Sequence, residues 1–282
     1  MFVNQEKENI DRLKSMARRM RKMALDMSLA AGVKGAHIGG GFSCMEIMAV
    51  LYGEILNVDA ADPCKKERDR LLISKNHCTI AHFPALVEKG YLLEEELSSY
   101  SENGSRLIGY PYDPSIGLEY SGGSLGMAIS VGIGQAYSAK KKGQPQRVYV
   151  LMGDGELNEG SIWEAFMAAS QYHLGNLIAI IDRNHLCYDG RTEEIMAVDD
   201  LPAKMRAFNW HTVTCNGHDI SELLWAFSEI SDDGPTIIIA DTVKGKGLSF
   251  AEGRPEWHQK AITKEQYELA LRELMEGMEC QR

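Results

Sequence analysis

Two apolar segments, each followed at once by polar residues, constrain the fold of this chain more than any other feature. The first covers residues 148–152 and is followed by Gly-Asp-Gly, and the second covers residues 177–181 and is followed by Asp-Arg-Asn. Because a helical pattern separates them, they predict strand, helix and strand, the unit of a parallel sheet. The carboxyl ends of parallel strands share one edge of the sheet, where open α/β folds bind ligands. We therefore expect Asp154 and Asn184 to lie side by side at that edge.

The polar groups at this predicted edge favour a site for a divalent cation and a diphosphate. Mg²⁺ and Ca²⁺ prefer oxygen ligands, which a carboxylate and an amide supply, and the neighbouring glycines leave room for phosphate. A dinucleotide-binding fingerprint fits less well, because its third glycine would have to come before Gly160. An EF-hand calcium loop would need glycine in place of Glu159. A plain turn in which Asp154 caps a helix stays open on Gly-Asp-Gly alone, and Asn184 makes it less favoured.

The composition indicates one α/β domain, residues 1–282, with room for a large hydrophobic core. Of the 282 residues, 44% are hydrophobic and 25% are charged. The net charge of −10 argues against nucleic acid and acidic membranes as partners. Six cysteines without metal-binding spacing, and an N-terminus without a signal sequence, predict a reduced, soluble protein of the cytoplasm. We find no apolar stretch long enough to span a bilayer.

Hydrophobic periodicity predicts that strands and helices alternate, which indicates an α/β fold with a doubly wound parallel sheet flanked by helices. Strands are predicted at residues 71–74, 148–152, 177–181, 210–215 and 235–240. Helices are predicted at residues 5–31, 43–56, 80–90, 94–101, 124–142, 202–208, 219–230 and 263–277, and between the second and third strands. Methionines at positions 16, 20, 23 and 27 form an apolar stripe, expected in the core or at a subunit contact. Three glycines at 39–41 are expected to break the chain before Ser43 and Glu46 form a capping box.

Several short motifs, in the right order over residues 5–265, make the chain resemble the transketolase family. Gly-Asp-Gly followed about 30 residues later by Asn is the motif of thiamine-diphosphate enzymes. The other matching segments are 34–40 (KGAHIGG), 68–77 (RDRLLISKNH), 122–126 (GGSLG), 242–247 (TVKGKG) and 257–258 (WH). They are similar to the family's S-G-H-P-G, R-D-R-x-x-x-S-x-G-H, T-G-S-L-G, K-T-x-K-G-x-G and final histidine. The resemblance implies the fold of a thiamine-diphosphate-binding domain.

This resemblance also implies the cofactors and the residues that hold them. Thiamine diphosphate would bind together with Mg²⁺ or Ca²⁺. The implied metal ligands are Asp154, Asn184 and Leu186. The implied cofactor-binding residues are His77, Gly123, Leu125, Gly153, Asp154, Gly155, Asn184, Leu186 and His258. Among these, the carbonyl of Gly123 would accept a hydrogen bond from the amino group of the aminopyrimidine, and Leu125 would pack against that ring.

Three histidines and one tyrosine are the candidate catalytic residues. A lone histidine is more often structural, but His37, His77 and His258 all match histidines of the family. The resemblance implies that His77 and His258 contact the diphosphate, and that His37 and His258 face the donor sugar. An imidazole suits proton transfer because it titrates near neutral pH. Tyr110 stands where transketolases usually carry the histidine of a Gly-His-Pro segment, so the substrate is expected to differ from the usual pentose and heptulose phosphates.

The resemblance implies a protein that works with a partner. In the family, a glutamate of a second, pyrimidine-binding domain activates the cofactor, and no segment of this chain is left over to supply that domain. We therefore expect the N-terminal subunit of a split transketolase, which transfers a two-carbon ketol unit from a ketose phosphate to an aldose. A heterotetramer of two such chains and two partners is the expected form. Glu159 and Glu164 would belong to an acidic cluster at the subunit interface, although solvated helix carboxylates remain an alternative.

Three other functions stay open from the sequence. One is a specialised transketolase for an unusual sugar, such as a sulfosugar or a branched pentulose phosphate. Another is an enzyme like deoxyxylulose phosphate synthase, which condenses pyruvate with an aldehyde. The third is a regulatory subunit that binds the cofactor without catalysis.

Overall fold

Five parallel strands form the centre of the protein. The structure, a computed structural model, describes residues 2–279. The strands are β1 (Arg70–Ile73), β2 (Val148–Gly153), β3 (Leu177–Arg183), β4 (His211–Asn216) and β5 (Thr236–Asp241). Their order across the sheet is β1-β2-β3-β5-β4. The helices are α1 (Phe2–Ala30), α2 (Ile38–Phe42), α3 (Met45–Val50), α4 (Thr79–Lys89), α5 (Ala128–Lys141), α6 (Gly160–Gln171), α7 (Thr192–Ile195), α8 (Leu201–Ala207), α9 (Ile220–Ser228) and α10 (Lys264–Glu279).

Helices cover both faces of the sheet, which explains why its central strands lack alternating polarity. Every residue of β3 is buried. Ile178 and Ile180 belong to the core that includes α1, α3, α4 and α9. Leu177, Ala179 and Ile181 point the other way, into the core that includes α5 and α6. Strands buried on both faces are typical of parallel sheets between helical layers, so the predicted doubly wound fold is confirmed.

The methionine stripe of α1 lies in the core. Met16 and Met23 are almost completely buried, and Met20 and Met27 are fully buried. They pack where α1 crosses α3 and α4. Unbranched methionine side chains fill the irregular space between such helices. Of the two locations expected from the sequence, the core is the one observed.

The strand ends are aligned at one edge of the sheet. Gly153 at the end of β2 pairs with Asp182 of β3, and Arg183 pairs with Asp241 at the end of β5. The backbone N–H of Ser74, just after β1, donates to the carbonyl of Leu151 at 2.7 Å. The segments that follow β1, β2, β3 and β5 therefore leave the sheet together, as predicted for its carboxyl edge.

The three glycines at 39–41 do not break the chain, contrary to the prediction. They lie inside the short helix α2, which is completely buried. A Cβ at Gly41 would lie 2.4 Å from Cγ1 of Ile80, at the start of α4. These residues therefore lack side chains because α2 packs closely against its neighbours, where a larger residue would not fit.

The predicted capping box at Ser43 is wrong. The Ser43 hydroxyl donates to the Asp182 carboxylate at 2.6 Å, and Glu46 forms an ion pair with Arg21 at 2.6 Å. Helix α3 begins at Met45 without a side-chain cap. Both polar side chains are drawn to tertiary partners that are distant in sequence, which outweigh the local capping pattern.

Three predicted helices differ from the observed elements, and the other boundaries agree to within a few residues. The helix expected over 43–56 is an α-helix only to Val50 and continues as a π-helix over Leu51–Ile55. The helix expected over 124–142 begins only at Ala128, because Gly126 has φ +79°, which lies outside the helical range. Residues Glu94–Ser99 form a 3₁₀ helix instead of an α-helix. No helix within the described range is long and apolar enough to cross a membrane. The five described cysteines are free thiols, and Cys280 lies outside the described residues.

Candidate functional site

A cleft of about 360 Å³ opens at the carboxyl edge of the sheet. The predicted site residues that line it are His37, His77, Tyr110, Gly123, Leu125, Gly153, Asp154, Gly155, Asn184, Leu186 and His258. Lining residues that were not predicted from the sequence are Gly40, Ser74, Lys75, Glu156, Cys187, Tyr188, Asp189 and Lys244. The two predicted interface residues, Glu159 and Glu164, lie outside the cleft and are exposed on and just before α6.

Three imidazole rings form a triangle on one wall of the cleft. The ring centroids of His37 and His77 are 5.2 Å apart, those of His37 and His258 are 5.5 Å apart, and those of His77 and His258 are 5.0 Å apart. Burial, assisted by the nearby Lys244 ammonium, lowers the pKa of His37 to about 4 and that of His258 to about 3. Burial also holds the pKa of His77 well below its ordinary value. All three rings are therefore neutral at physiological pH.

Lys244 fixes the tautomer of one of these histidines. Its Nζ donates to the carbonyls of Leu186 at 3.1 Å and Cys187 at 2.9 Å, and lies 3.0 Å from Nδ1 of His258. Because an ammonium group only donates, Nδ1 of His258 is the acceptor and the ring proton is on Nε2. Burial, with a smaller contribution from the positive charge of Lys75, lowers the pKa of Lys244 to about 8.

A second lysine lies beneath the cleft in a buried ion pair. Nζ of Lys75 donates to the Asp182 carboxylate and, at 2.7 Å, to the carbonyl of Gly40. Burial alone would lower the pKa of Lys75, but the Asp182 carboxylate outweighs it and raises that pKa. Asp182 also accepts hydrogen bonds from the Thr242 hydroxyl and, at 3.2 Å, from the Asn184 amide. This pair joins the segments that follow β1, β3 and β5.

The Asp154 carboxylate is buried where β2 ends. Its Oδ2 accepts hydrogen bonds from Nη1 of Arg183 at 3.1 Å and from the backbone N–H of His185 at 2.7 Å. Its Oδ1 accepts from the backbone N–H of Gly155 at 2.9 Å. Burial and the nearby negative charge of Asp182 nevertheless raise the pKa of Asp154. A further positive charge beside this carboxylate would therefore stabilise its ionised form.

The segment after β3 carries the remaining predicted metal ligands. Oδ1 of Asn184 accepts a hydrogen bond of 3.2 Å from the backbone N–H of Leu186. Between them, His185 adopts φ +63°, a left-handed conformation that turns the chain sharply into the cleft. Carboxylate, amide and carbonyl oxygens together are the donor set that Mg²⁺ and Ca²⁺ prefer. Within the described residues, no group of three or more His, Cys, Asp and Glu side chains forms a metal site.

Two tyrosines stand at the mouth of the cleft. Tyr110 is 46% exposed, on the loop that precedes residues 122–126. Tyr188 is 68% exposed, and its ring centroid lies 5.0 Å from that of His258 in an edge-to-face contact. Phenol groups at these positions combine an apolar ring with a hydroxyl that both donates and accepts hydrogen bonds.

The two lysines were not predicted from the sequence, although a signal for them was present. Lys75 follows β1 by two residues and Lys244 follows β5 by three, so each comes just after an apolar strand. The same position relative to a strand led to the prediction for Asp154. Both lysines lie inside segments quoted for the family resemblance, but in those two segments only His77 was given a role.

The comparisons with known proteins agree with this geometry. The family model described as "Transketolase, thiamine diphosphate binding domain" matches residues 13–281. One of the subunits of the apulose-4-phosphate transketolase of Phocaeicola vulgatus is 40% identical over 272 residues, which cover 96% of this chain and 96% of that protein. The 6-deoxy-6-sulfo-D-fructose transketolase subunit SqwG of a Clostridium species is 36% identical, with 93% and 96% covered.

Solved structures of longer transketolases share the fold. The transketolase of Leishmania mexicana superposes with a TM-score of 0.85 at 27% sequence identity, over 93% of this chain. The match covers 41% of that longer protein, so the chain corresponds to less than half of it. The family match, the relatives of similar length and the common fold lead to one conclusion: the chain belongs to the transketolase family and carries its thiamine-diphosphate-binding domain.

Proposed function

We propose that the chain is the thiamine-diphosphate-binding subunit of a two-subunit transketolase, which transfers a two-carbon ketol unit from a ketose phosphate to an aldose. The observation that carries this proposal is the cleft in which three neutral histidines face two lysines and the oxygen groups of Asp154 and Asn184. The relatives from Phocaeicola vulgatus and the Clostridium species, matched over 96% of their length, are named as transketolase subunits, which supports the division between two chains.

The residues of the cleft fit a metal ion and a diphosphate. Asp154, Asn184 and the carbonyl of Leu186 would hold Mg²⁺ or Ca²⁺, and Lys75 and Lys244 add positive charge for phosphate oxygens. The raised pKa of the buried Asp154 supports this, because a cation beside it offsets the cost of burying its charge. When bound, thiamine diphosphate supplies the nucleophilic carbon that cleaves the ketose beside its carbonyl group.

The histidines would act on the sugar and on the diphosphate as neutral groups. A neutral imidazole whose acceptor nitrogen is free can orient a sugar hydroxyl and also take up its proton, whereas His258, whose acceptor nitrogen is bonded to Lys244, only donates. We assign His37 and His258 to the donor sugar, and His77 and His258 to the diphosphate. Nε2 of His258 carries the proton because Nδ1 is bonded to Lys244. Ring separations of 5.0 to 5.5 Å would allow two of these rings to contact one small substrate.

An exposed apolar surface on α5 and α6 supports the proposed partner. Its exposed side chains are Met127, Val131, Tyr137, Met167 and Tyr172. The rings of Tyr137 and Tyr172 contact each other with centroids 5.0 Å apart. Exposed apolar side chains on two helices that pack against each other are typical of a subunit interface. We propose that it, together with Glu159 and Glu164, contacts other subunits in a heterotetramer of two such chains and two pyrimidine-binding partners.

The substrate is proposed to be an unusual sugar. The named substrates of two relatives are apulose 4-phosphate and 6-deoxy-6-sulfo-D-fructose, one branched and one sulfonated. Tyr110 at the mouth of the cleft replaces the family's usual histidine with a bulkier neutral group, which supports a donor other than the common pentose phosphates. We also propose a cytoplasmic location, which the free thiols of the described cysteines support.

Reconstitution with a partner tests the proposed function. The chain is mixed with a transketolase subunit that carries the pyrimidine-binding domain, with thiamine diphosphate and Mg²⁺, and aldose formation is measured over a panel of ketose phosphates. We expect ketol transfer by the mixture and none by either chain alone. Asp154→Ala should abolish transfer, whereas Asp233→Ala, an exposed substitution far from the cleft, should not. Full activity of the chain without a partner would contradict the division of the active site.

A further inference from the structure

Glu156, two residues after the predicted metal ligand Asp154, is buried with only 3% of its surface exposed. Its carboxylate receives three hydrogen bonds from three separate segments. Oε1 accepts from the backbone N–H of Gly153 at 2.8 Å, at the end of β2. Oε2 accepts from the backbone N–H of Gly126 at 2.9 Å and from the hydroxyl of Ser74, just after β1. Two oxygens thus satisfy three converging donors.

The bond to Gly126 anchors a turn that few other contacts hold. Gly126 has φ +79°, and a Cβ there would lie 2.7 Å from Cβ of Glu159, so only glycine fits. Its carbonyl accepts a hydrogen bond of 3.3 Å from the Ser161 hydroxyl. Apart from the tight turn at Leu125 and Gly126 itself, the described residues 122–125 make no hydrogen bond to another segment. The path of this loop therefore depends on its two ends, and Gly126 is the end bound to a charged group.

We infer that Glu156 is a positioning residue: it holds the turn at Gly126 and thereby presents the Gly123 carbonyl and the Leu125 side chain to the aminopyrimidine ring. This inference rests on the proposed function, in which Gly123 and Leu125 contact that ring. Glu156 also ties the turn to the ends of β1 and β2, which carry Ser74 and Gly153. The loop that contacts one end of the cofactor is thus fixed to the strands that hold the other end.

The chemistry of the site requires a carboxylate. Glutamine offers one acceptor oxygen, and its NH₂ group only donates. In a Glu156→Gln variant that NH₂ group must face the N–H of either Gly153 or Gly126, because the Ser74 hydroxyl alone can turn round to accept. One backbone N–H is then left unpaired in a buried place. The substitution preserves size and shape, so it leaves either Gly126 or Gly153 unpaired without opening a cavity. Glu156→Met, which offers no acceptor oxygen, removes both bonds whichever way its side chain turns.

Asp69→Asn provides a matched control. Asp69 is also buried, and its carboxylate accepts the backbone N–H groups of Asn57 at 2.9 Å and Arg147 at 2.8 Å. It lies at the start of β1, at the opposite edge of the sheet from the cleft. Both variants therefore replace a buried carboxylate with an amide. They differ only in where that carboxylate lies in the protein.

Hydrogen–deuterium exchange of the full chain, followed by mass spectrometry, tests whether Glu156 anchors the turn at Gly126. We expect exchange in peptides covering residues 118–127 to be at least about tenfold faster in Glu156→Gln than in the wild type, and unchanged in Asp69→Asn. Wild-type exchange in those peptides of both Glu156→Gln and Glu156→Met would overturn the inference. This measurement needs no cofactor, so it gives its answer even if the wild-type chain proves not to bind thiamine diphosphate.

Calorimetric titration with thiamine diphosphate and Mg²⁺ tests whether this anchored turn contributes to cofactor binding. We expect Glu156→Gln to bind at least about tenfold more weakly than Asp69→Asn. Faster loop exchange with undiminished affinity would overturn the positioning role. Absence of binding by the wild-type protein would count against the proposed function, and the anchoring would then be judged on exchange alone.

Discussion

Nε2 of His218 accepts a hydrogen bond of 2.8 Å from the backbone N–H of Val243, the residue before Lys244. Since Nε2 is the acceptor, the proton of the neutral ring is on Nδ1, which donates to Glu46 at 3.0 Å. Glu46 in turn is bound to Arg21 at 2.6 Å. A chain of buried polar groups thus runs from α1 through α3 to the loop that places Lys244 in the cleft.

Replacing His218 with leucine should loosen this loop. The substitution leaves the N–H of Val243 without a partner, which should destabilise the fold by about 1–3 kcal/mol. Urea unfolding measures this loss, and titration with thiamine diphosphate and Mg²⁺ should show weaker binding. His211→Leu, at an exposed position on β4, is the control and should change neither. Equal stability of the two variants would contradict a structural role for the hydrogen bond to Val243.

Glu46 should make stability depend on pH in the acid range. Burial opposes its ionisation, but Arg21 and the Nδ1–H of His218 outweigh this and lower its pKa to about 2 from 4.5. The unfolded chain therefore binds the proton more tightly, so the stabilisation is complete above pH 4.5 and is lost as pH falls from 4.5 toward 2. It is on the order of 3 kcal/mol. Unfolding free energies of wild type and Glu46→Gln, measured from about pH 7 down to about pH 3, should converge; a constant difference would refute this.

The cleft histidines should resist protonation. With pKa values of about 4 and 3, His37 and His258 should stay neutral at about pH 5.5, where histidines of the unfolded chain are mostly protonated. Their burial as neutral rings thus favours folding fully above pH 6.5, and this advantage is lost as pH falls from 6.5 toward 4. Imidazole carbon shifts in NMR spectra, assigned with His37→Gln and His258→Gln, report the charge. Titration midpoints near about 6.5 would show that the rings are not buried as described.

Lys244→Met should raise the pKa of His258 and weaken binding of the cofactor. The ammonium of Lys244 adds to burial in keeping the His258 ring neutral, so its removal moves the NMR midpoint upward. Affinity for thiamine diphosphate should fall at least about tenfold with the loss of one charge-assisted contact. Lys246→Met is the matched control, because Lys246 lies in the same loop but pairs with Glu252 at 2.8 Å. Similar effects of both substitutions would show that the loss of one positive charge matters, and not the position of Lys244 in the cleft.

Tyr110→His should shift the preference among donor sugars. The substitution restores the residue usual in the family at position 110, which lines the cleft. We expect kcat/KM for xylulose 5-phosphate to rise relative to branched or sulfonated ketoses, measured with the reconstituted enzyme. Tyr112→His, another exposed tyrosine two residues away, serves as the control. If the ratio of kcat/KM values between donors is unchanged in Tyr110→His, Tyr110 does not determine donor specificity.

The sheet edge could be predicted because each strand and the polar residues after it are contiguous in sequence. Asp154 and Asn184 were located from that pattern alone. The chain of polar groups behind Lys244 could not be predicted. His218 does follow β4 by two residues, but its partner Glu46 is 172 residues away and no motif links the two. Partners that are distant in sequence also explain the wrong prediction at Ser43. Its local pattern fits a capping box, yet the hydroxyl binds Asp182, 139 residues away.

The strand order has a consequence for the synthesis of the protein. β4 precedes β5 in the chain, yet it lies at the edge of the described sheet and is hydrogen-bonded to β5. While the ribosome is still adding residues before 236, β4 has been made but the strand that joins it to β3 has not. The segment that carries Lys244 and His258 emerges later still. The cleft therefore cannot be completed before β5 and the segment after it have been synthesised.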